Sequence, residues 1–179
     1  MKNKKILVII SGGIAVYKVA SLVSYLSKEN TVKIMMTKHA TEFVTPLTFQ
    51  TLSKQEVITD MFNAKKYDLI PHIYYAQEYD YIIVAPATAN IIGKVANGIA
   101  DDITTTTLMA ATKPIIFVPA MNEEMYLNRI VQNNIKKLKD YGYYFVEPDN
   151  GLLACGCKGK GKYPTTEKII NKLLEVENL

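Results

Sequence analysis

Two hydrophobic rhythms alternate along this chain. Residues 5–10, Lys-Ile-Leu-Val-Ile-Ile, form a short continuous apolar run, the pattern of a strand covered on both faces. Gly12 and Gly13 follow, and then Val16, Val19, Ala20, Val23 and Leu26 repeat at helical spacing over residues 15–26. Further strand-like runs occupy residues 32–36, 81–85, 115–118 and 143–146. Helical patterns at 90–96, 102–111, 129–141 and 165–176 separate or follow them. Strands alternating with helices at this spacing predict an α/β fold: a doubly wound (Rossmann-like or flavodoxin-like) open parallel sheet, helices on both faces. No internal repeat, linker or composition break interrupts it, so a single domain over residues 1–179 is expected.

In such sheets ligands sit beyond the carboxyl ends of the strands. Four segments begin there: Ser11-Gly12-Gly13, Thr37-Lys38-His39, Pro86-Ala87-Thr88-Ala89-Asn90 and Pro119-Ala120-Met121-Asn122. A glycine turn before a helix lets backbone approach a phosphate, and the helix N-terminus favours negative charge. The turn equally reads as a tight strand-to-helix connection, since it lacks both the GxGxxG and the P-loop patterns. The segments at 86–90 and 119–122 offer small side chains with a hydroxyl or an amide, a ledge for a flat polar ligand; Thr88, Asn90 and Asn122 also suit plain helix caps.

Charge and cysteine usage narrow the classes. The net charge of +4 is carried almost wholly by lysine, with Arg129 the only arginine, and no basic stripe suited to nucleic acid appears. The basic start and short apolar run superficially resemble a signal peptide but end in Ser-Gly-Gly, not a cleavage site. No apolar stretch approaches the ~18 residues of a membrane span. With Cys155 and Cys157 too close to staple distant parts of a fold, these features point to the cytoplasm.

Residues 148–164 read as a flexible flap, rich in glycine (Gly151, Gly156, Gly159, Gly161) and carrying Cys155. Zinc is not expected, because Cys-x-Cys is not the usual knuckle and neither His39 nor His72 has ligand spacing. A disulfide between the two cysteines would be strained. His72, after Pro71 and just before a helix, is by itself an ordinary surface or packing histidine.

Taken in order, Ser11-Gly12-Gly13-Ile14-Ala15-Val16-Tyr17-Lys18, His72-Ile73, the 86–90 loop, Pro119-Ala120-Met121-Asn122 and Leu153-Ala154-Cys155-Gly156 resemble the flavin-containing cysteine decarboxylases, from about residue 4 to 172. The Pro-Ala-Met-Asn and Ala-Cys-Gly elements are the specific parts. The resemblance implies FMN as cofactor, with Gly12, Gly13 and Ile14 near its phosphate and Thr37, Lys38, Thr88, Ala89, Asn90, Ile91 and Ala120 holding the rest. It implies His72 as catalytic base, Cys155 as proton donor, Asn122 on the substrate carboxylate, and Leu152, Leu153 and Ala154 along the substrate. It further implies a homo-oligomer built from trimers, with His72 reaching a neighbour's flavin. The implied substrate is the small molecule (R)-4'-phospho-N-pantothenoylcysteine, converted to 4'-phosphopantetheine in coenzyme A biosynthesis. A separate phosphopantothenoylcysteine synthetase is expected to supply it. Four positions depart from the family pattern: Gly13 for serine, Ile91 for threonine, Tyr126 for tryptophan and Lys162 for arginine.

The implied chemistry is coherent. Oxidising the cysteine arm to a thioaldehyde creates an electron sink, decarboxylation leaves an ene-thiolate, and the flavin can take hydride and return it. A thiol of ordinary pKa, roughly 8.5, stays protonated at neutral pH and can donate to the product. An oxidative peptidyl-cysteine decarboxylase would not need the Ala-Cys-Gly element, a non-catalytic flavin-binding regulatory subunit would not need His72, Asn122 and Cys155 together, and a flavin prenyltransferase gives the flap cysteine no role.

Overall fold

The computed structural model describes residues 1–62, 70–154 and 156–179. Along the chain run β1 (Lys5–Ile10), α1 (Val16–Leu26), β2 (Thr31–Met36), α2 (Lys38–Thr41), α3 (Pro46–Ser53), β3 (Val57–Ile58), α4 (Pro71–Gln77), β4 (Tyr81–Ala87) and α5 (Ala89–Ala96). There follow α6 (Ile103–Ala110), β5 (Ile115–Pro119), α7 (Glu123–Leu127), α8 (Arg129–Asp140), β6 (Tyr144–Phe145), β7 (Asp149–Leu152), β8 (Lys158–Lys162) and α9 (Thr166–Glu177).

Six strands form one sheet in the order β3-β2-β1-β4-β5-β6, every neighbouring pair parallel. This is the Rossmann order rather than the flavodoxin one. The continuous apolar runs have the expected cause, since each strand feeds two cores. Ile6, Val8 and Ile10 pack with Val16, Val19, Ile169 and Leu173 of α1 and α9. Leu7 and Ile9 pack on the other face with Ile91 and Ile92 of α5, Leu108 of α6 and Phe117. Helices after β1 and β4 therefore leave on opposite faces, which opens a crevice between the two strand ends. Among the described residues no helix is long and apolar enough to cross a membrane.

The elements that periodicity did not reveal are short: α2, α3, α4, α7, the two-residue β3 and the β7–β8 hairpin. α2, α7 and β3 hold too few residues for a period to register, while α3 and α4 bury only two residues each (Phe49 and Ser53, Tyr75 and Ala76), so no apolar stripe marks them. The hairpin occupies the glycine-rich segment and pairs antiparallel, Leu152 opposite Lys158 and Gly151 opposite Gly159.

Helix α6 is rich in threonine, an unfavourable helix composition, and is fixed at its start instead. Asp102 accepts the Thr105 amide at 2.8 Å and the Thr104 hydroxyl at 2.5 Å, and the Thr105 hydroxyl closes a capping box. Burial alone would raise the Asp102 pKa, but these hydrogen bonds and the nearby Lys94 ammonium outweigh it and hold the carboxyl below its ordinary value. Asp102→Ala should therefore cost about 1–2 kcal/mol in urea unfolding at pH 7. Folding favours the ionised form, so the wild-type advantage should be full near neutrality and shrink as pH falls below about 4. A difference that stays constant through acid would sink this account.

Candidate active site

At the end of β1 the buried Ser11 hydroxyl donates to the Pro86 carbonyl at 2.6 Å and accepts the Thr88 amide at 3.0 Å. This ties the β1 end to the loop after β4. Pro86 sits where β4 carries one residue more than β5 between the pairs Val84↔Phe117 and Ala87↔Pro119, a bulge that re-aims the strand end. Thr88 then caps α5, its side chain accepting the Ile91 amide. On the other side, Gly12 lies so close to His39 of α2 that a Cβ would overlap the His39 Cβ and backbone. The glycine turn is thus wedged between the ends of β2 and β4.

Beyond these ends lies a cavity of about 530 Å³, within the usual range for small-molecule sites. Its floor is Gly12, Gly13, Thr88 and Ala89; Ala120, Met121 and Asn122 form one wall; Leu152, Leu153 and Ala154 of the hairpin cover it. Asn122 caps α7, its Oδ1 accepting the Glu124 amide at 2.9 Å and the Met125 amide at 3.4 Å. The cap interpretation of Asn122 and its place in the cavity wall are both true. Pinning the oxygen to backbone amides fixes which end of the carboxamide is the donor end.

The structure thus gathers Gly12, Gly13, Ile14, Thr88, Ala89, Ala120, Asn122, Leu152, Leu153 and Ala154 around one space. Of the remaining expected site residues, the described ones lie outside this lining. Thr37 caps α2, accepting the Ala40 amide at 3.2 Å, and neither it nor Lys38 lines the cavity. Asn90 stands at the start of α5 outside the lining, and the Ile91 side chain is turned into the core, so it offers the cavity nothing. His72, in the first turn of α4, also lies outside the lining; its Nδ1 is buried with no hydrogen-bond partner among the described residues. Cys155 lies outside the described residues.

The sequence assigned no role to Tyr17, Lys18, Met125 and Tyr163, which line the cavity, or to Ser11, which ties its floor together. Tyr17 was detectable as an apolar residue on the polar face of α1, where it is 58% exposed. Tyr163 is nearly fully buried at the cavity margin, its hydroxyl without a partner among the described residues, and burial pushes its pKa up. Tyr126, where the family pattern has tryptophan, uses its extra hydroxyl to donate to Glu147 at 2.9 Å.

The residues present suit a flat, phosphate-bearing ligand. The lining is mostly apolar with a few polar groups. Helix α1, which starts at the glycine turn, has neither a side-chain cap among the described residues nor an acidic residue in its first turn. The Val16 and Lys18 amides are taken by the Gly13 and Ala15 carbonyls, but the positive dipole end of the helix stands at the cavity lining with no carboxylate in its first turn to compete for an anion.

The two glycines make different demands. A Cβ at Gly13 would meet only the Thr88 Cγ2, at an ordinary 3.5 Å. Gly12→Ala should cost about 1–3 kcal/mol, the usual overpacking penalty, whereas Gly13→Ala should unfold like wild type. Equal losses in urea unfolding would refute this assignment.

Comparison with known proteins agrees with this geometry. The family model described as Flavoprotein matches residues 1–177. The chain is 52% identical over 176 residues to the coenzyme A biosynthesis bifunctional protein CoaBC of Bacillus subtilis (strain 168), covering 98% of this chain and 43% of that protein. It spans less than half the length of that relative. It is 41% identical over 176 residues to a probable phosphopantothenoylcysteine decarboxylase of Streptococcus mutans, covering 97% of this chain and 98% of that one. Among solved structures, a PPC decarboxylase variant complexed with pantothenoylaminoethenethiol superposes with a TM-score of 0.89 at 26% identity, covering 99% of this chain and 100% of that one. The FMN binding protein AtHal3 superposes with a TM-score of 0.85 at 26% identity, covering 99% of each chain. By the match over nearly its whole length, the chain belongs to the Flavoprotein family.

Proposed function

We propose that the chain binds FMN and decarboxylates 4'-phospho-N-pantothenoylcysteine to 4'-phosphopantetheine. The observation that carries this reading is convergence: the glycine turn, the Thr88–Ala89 ledge, Asn122 and the hairpin surround a single cavity at the crevice between β1 and β4. The names of the relatives and structural neighbours support the same activity and cofactor. Residues 1–179 act as one domain, with residues 148–164 as the substrate flap.

On this reading Gly12, Gly13 and Ile14 receive the FMN phosphate at the start of α1, while Thr88, Ala89 and Ala120 support the rest. Bound FMN would supply a two-electron acceptor that takes hydride from the substrate and returns it. Asn122 orients the substrate carboxylate with its donor end. Leu152, Leu153 and Ala154 exclude water above it, and Cys155 donates the proton that completes the reduced product. His72 acts as base in a neighbouring copy's cavity. Its position outside its own chain's cavity and the exposed Ile70 and Ile73 beside it support a shared site. The assembly is built from trimers, and a synthetase activity supplies the substrate.

The test is turnover. FMN-loaded protein incubated with phosphopantothenoylcysteine should release carbon dioxide and form phosphopantetheine. Cys155→Ser should release carbon dioxide but stop at the oxidised ene-thiol. No uptake of FMN, or no turnover, would overturn the proposal, and light scattering of an active monomer would overturn the shared site.

Asn122 separates folding from binding. Aspartate is as good an N-cap as asparagine, so Asn122→Asp should keep the melting temperature but place a like charge against the substrate carboxylate. Asn122→Ala should lose about 1 kcal/mol of stability yet bind substrate better than the Asp variant. The reverse ranking in substrate titration would remove Asn122 from carboxylate binding.

A further inference from the structure

The hairpin has one strand edge that its own ladder does not use. β8 pairs only with β7 among the described residues, so its outer edge presents backbone groups that need partners. The segment 121–123 supplies them. The Met121 amide donates to the Gly161 carbonyl at 3.0 Å, and the Lys160 amide donates to Glu123 Oε1 at 2.7 Å. A carboxylate here takes the place of a third strand. The approach is possible only because β8 reads Lys-Gly-Lys-Gly-Lys. A Cβ on Gly159 would overlap the Glu123 carboxylate, and one on Gly161 the Met121 carbonyl oxygen; Gly161 also holds a φ of +133°. These two glycines serve close contact.

Other ties to β8 are weaker. The Lys160 ammonium lies 3.5 Å from Glu147, but the two side chains are 41% and 48% exposed, and such pairs contribute little. The amide-to-carboxylate bond is shorter, charge-assisted and half-buried. Glu123 also begins α7, where the helix dipole favours its charge. Its neighbour Asn122 lines the cavity, and the far end of the same hairpin carries Leu152, Leu153 and Ala154 over it.

We infer that Glu123 is a positioning residue: its carboxylate latches β8 to the loop bearing Asn122 and so holds the hairpin closed over the cavity. Its effect on turnover rests on the function proposed above; the latch itself does not. The experiment compares Glu123→Ala, Glu123→Gln and Gly159→Ala in the full, FMN-loaded chain by limited trypsin digestion, since β8 contains three lysines, at 158, 160 and 162. Glu123→Ala and Gly159→Ala should be cut within β8 about tenfold faster than wild type, the order expected for losing one charge-assisted hydrogen bond. Glu123→Gln keeps a neutral acceptor for the Lys160 amide and should be cut faster than wild type but clearly more slowly than Glu123→Ala. In parallel, Glu123→Ala should raise KM for phosphopantothenoylcysteine more than it lowers kcat. Wild-type cutting rates in both Glu123→Ala and Gly159→Ala, or equal acceleration in Glu123→Gln and Glu123→Ala, would overturn the latch. Should Glu123→Ala fail to fold, Gly159→Ala decides alone. Faster cutting in Glu123→Ala with wild-type protein inert toward the substrate would leave the latch standing and fell only the proposed function.

Discussion

Between β1 and β4 the chain changes the face on which its helices pack, and Ser11 spans that change. Its buried hydroxyl donates to Pro86 and accepts from Thr88, so two loops that diverge to opposite faces start from a fixed separation. Everything in the cavity floor follows from this pair of bonds and from the contact of Gly12 with His39 on the other side. A buried hydroxyl with both its donor and acceptor engaged costs little to keep, whereas loss of one partner strands a buried polar group. The restraint is cheap when whole and expensive when broken, which suits a residue that sets geometry rather than chemistry.

The parallel sheet was legible because its four longer strands, β1, β2, β4 and β5, are apolar and buried on both faces: Ile6 to Ile10 have no exposed surface. Only Lys33, buried in β2, interrupts these runs, and α1, α5, α8 and α9 follow with boundaries within a residue or two. The cavity lining was legible where residues break a local rule, as with Gly12 and Gly13 or the paired small-residue loops. It was not legible where residues obey one. Ser11 is an ordinary end of a strand, and Glu123 an ordinary acidic residue in a first helical turn. Thr37 shows the converse: like Thr88 and Asn122 it follows a strand and caps a helix, but its helix, α2, starts away from the cavity lining. Ile91 fails for a different reason, because its helical phase turns the side chain into the core. Chain position identifies a loop; only the packing of neighbouring loops decides which of its side chains face the same space.

Glycine composition illustrates the same limit. Read along the chain, Gly151, Gly156, Gly159 and Gly161 look like one flexible segment. In the fold Gly159 and Gly161 are places where another backbone or carboxylate occupies the space of a side chain. Gly156, at φ +87° in the hairpin tip with nothing near its missing Cβ, serves the turn. The same residue type therefore admits a close contact along one strand and permits the turn beside it.

This leaves a molecule with two grades of order around one cavity. The floor is built on strands with no exposed apolar surface, whose opening would require much of the core to come apart. The cover is a two-stranded hairpin, a structure marginal on its own in water. It is tied down by the backbone bond between Met121 and Gly161, the Lys160–Glu123 bond, and the Lys168–Asp149 pair at its base. Each such tie is worth on the order of 1–3 kcal/mol at most, small against the hydrophobic burial beneath it. The cover is therefore held mainly by a few polar bonds, whereas the floor is held by the buried strands beneath it. Placing two of those bonds on the segment that carries Asn122 ties the cover to the wall of the cavity, so cover and wall hold each other in register.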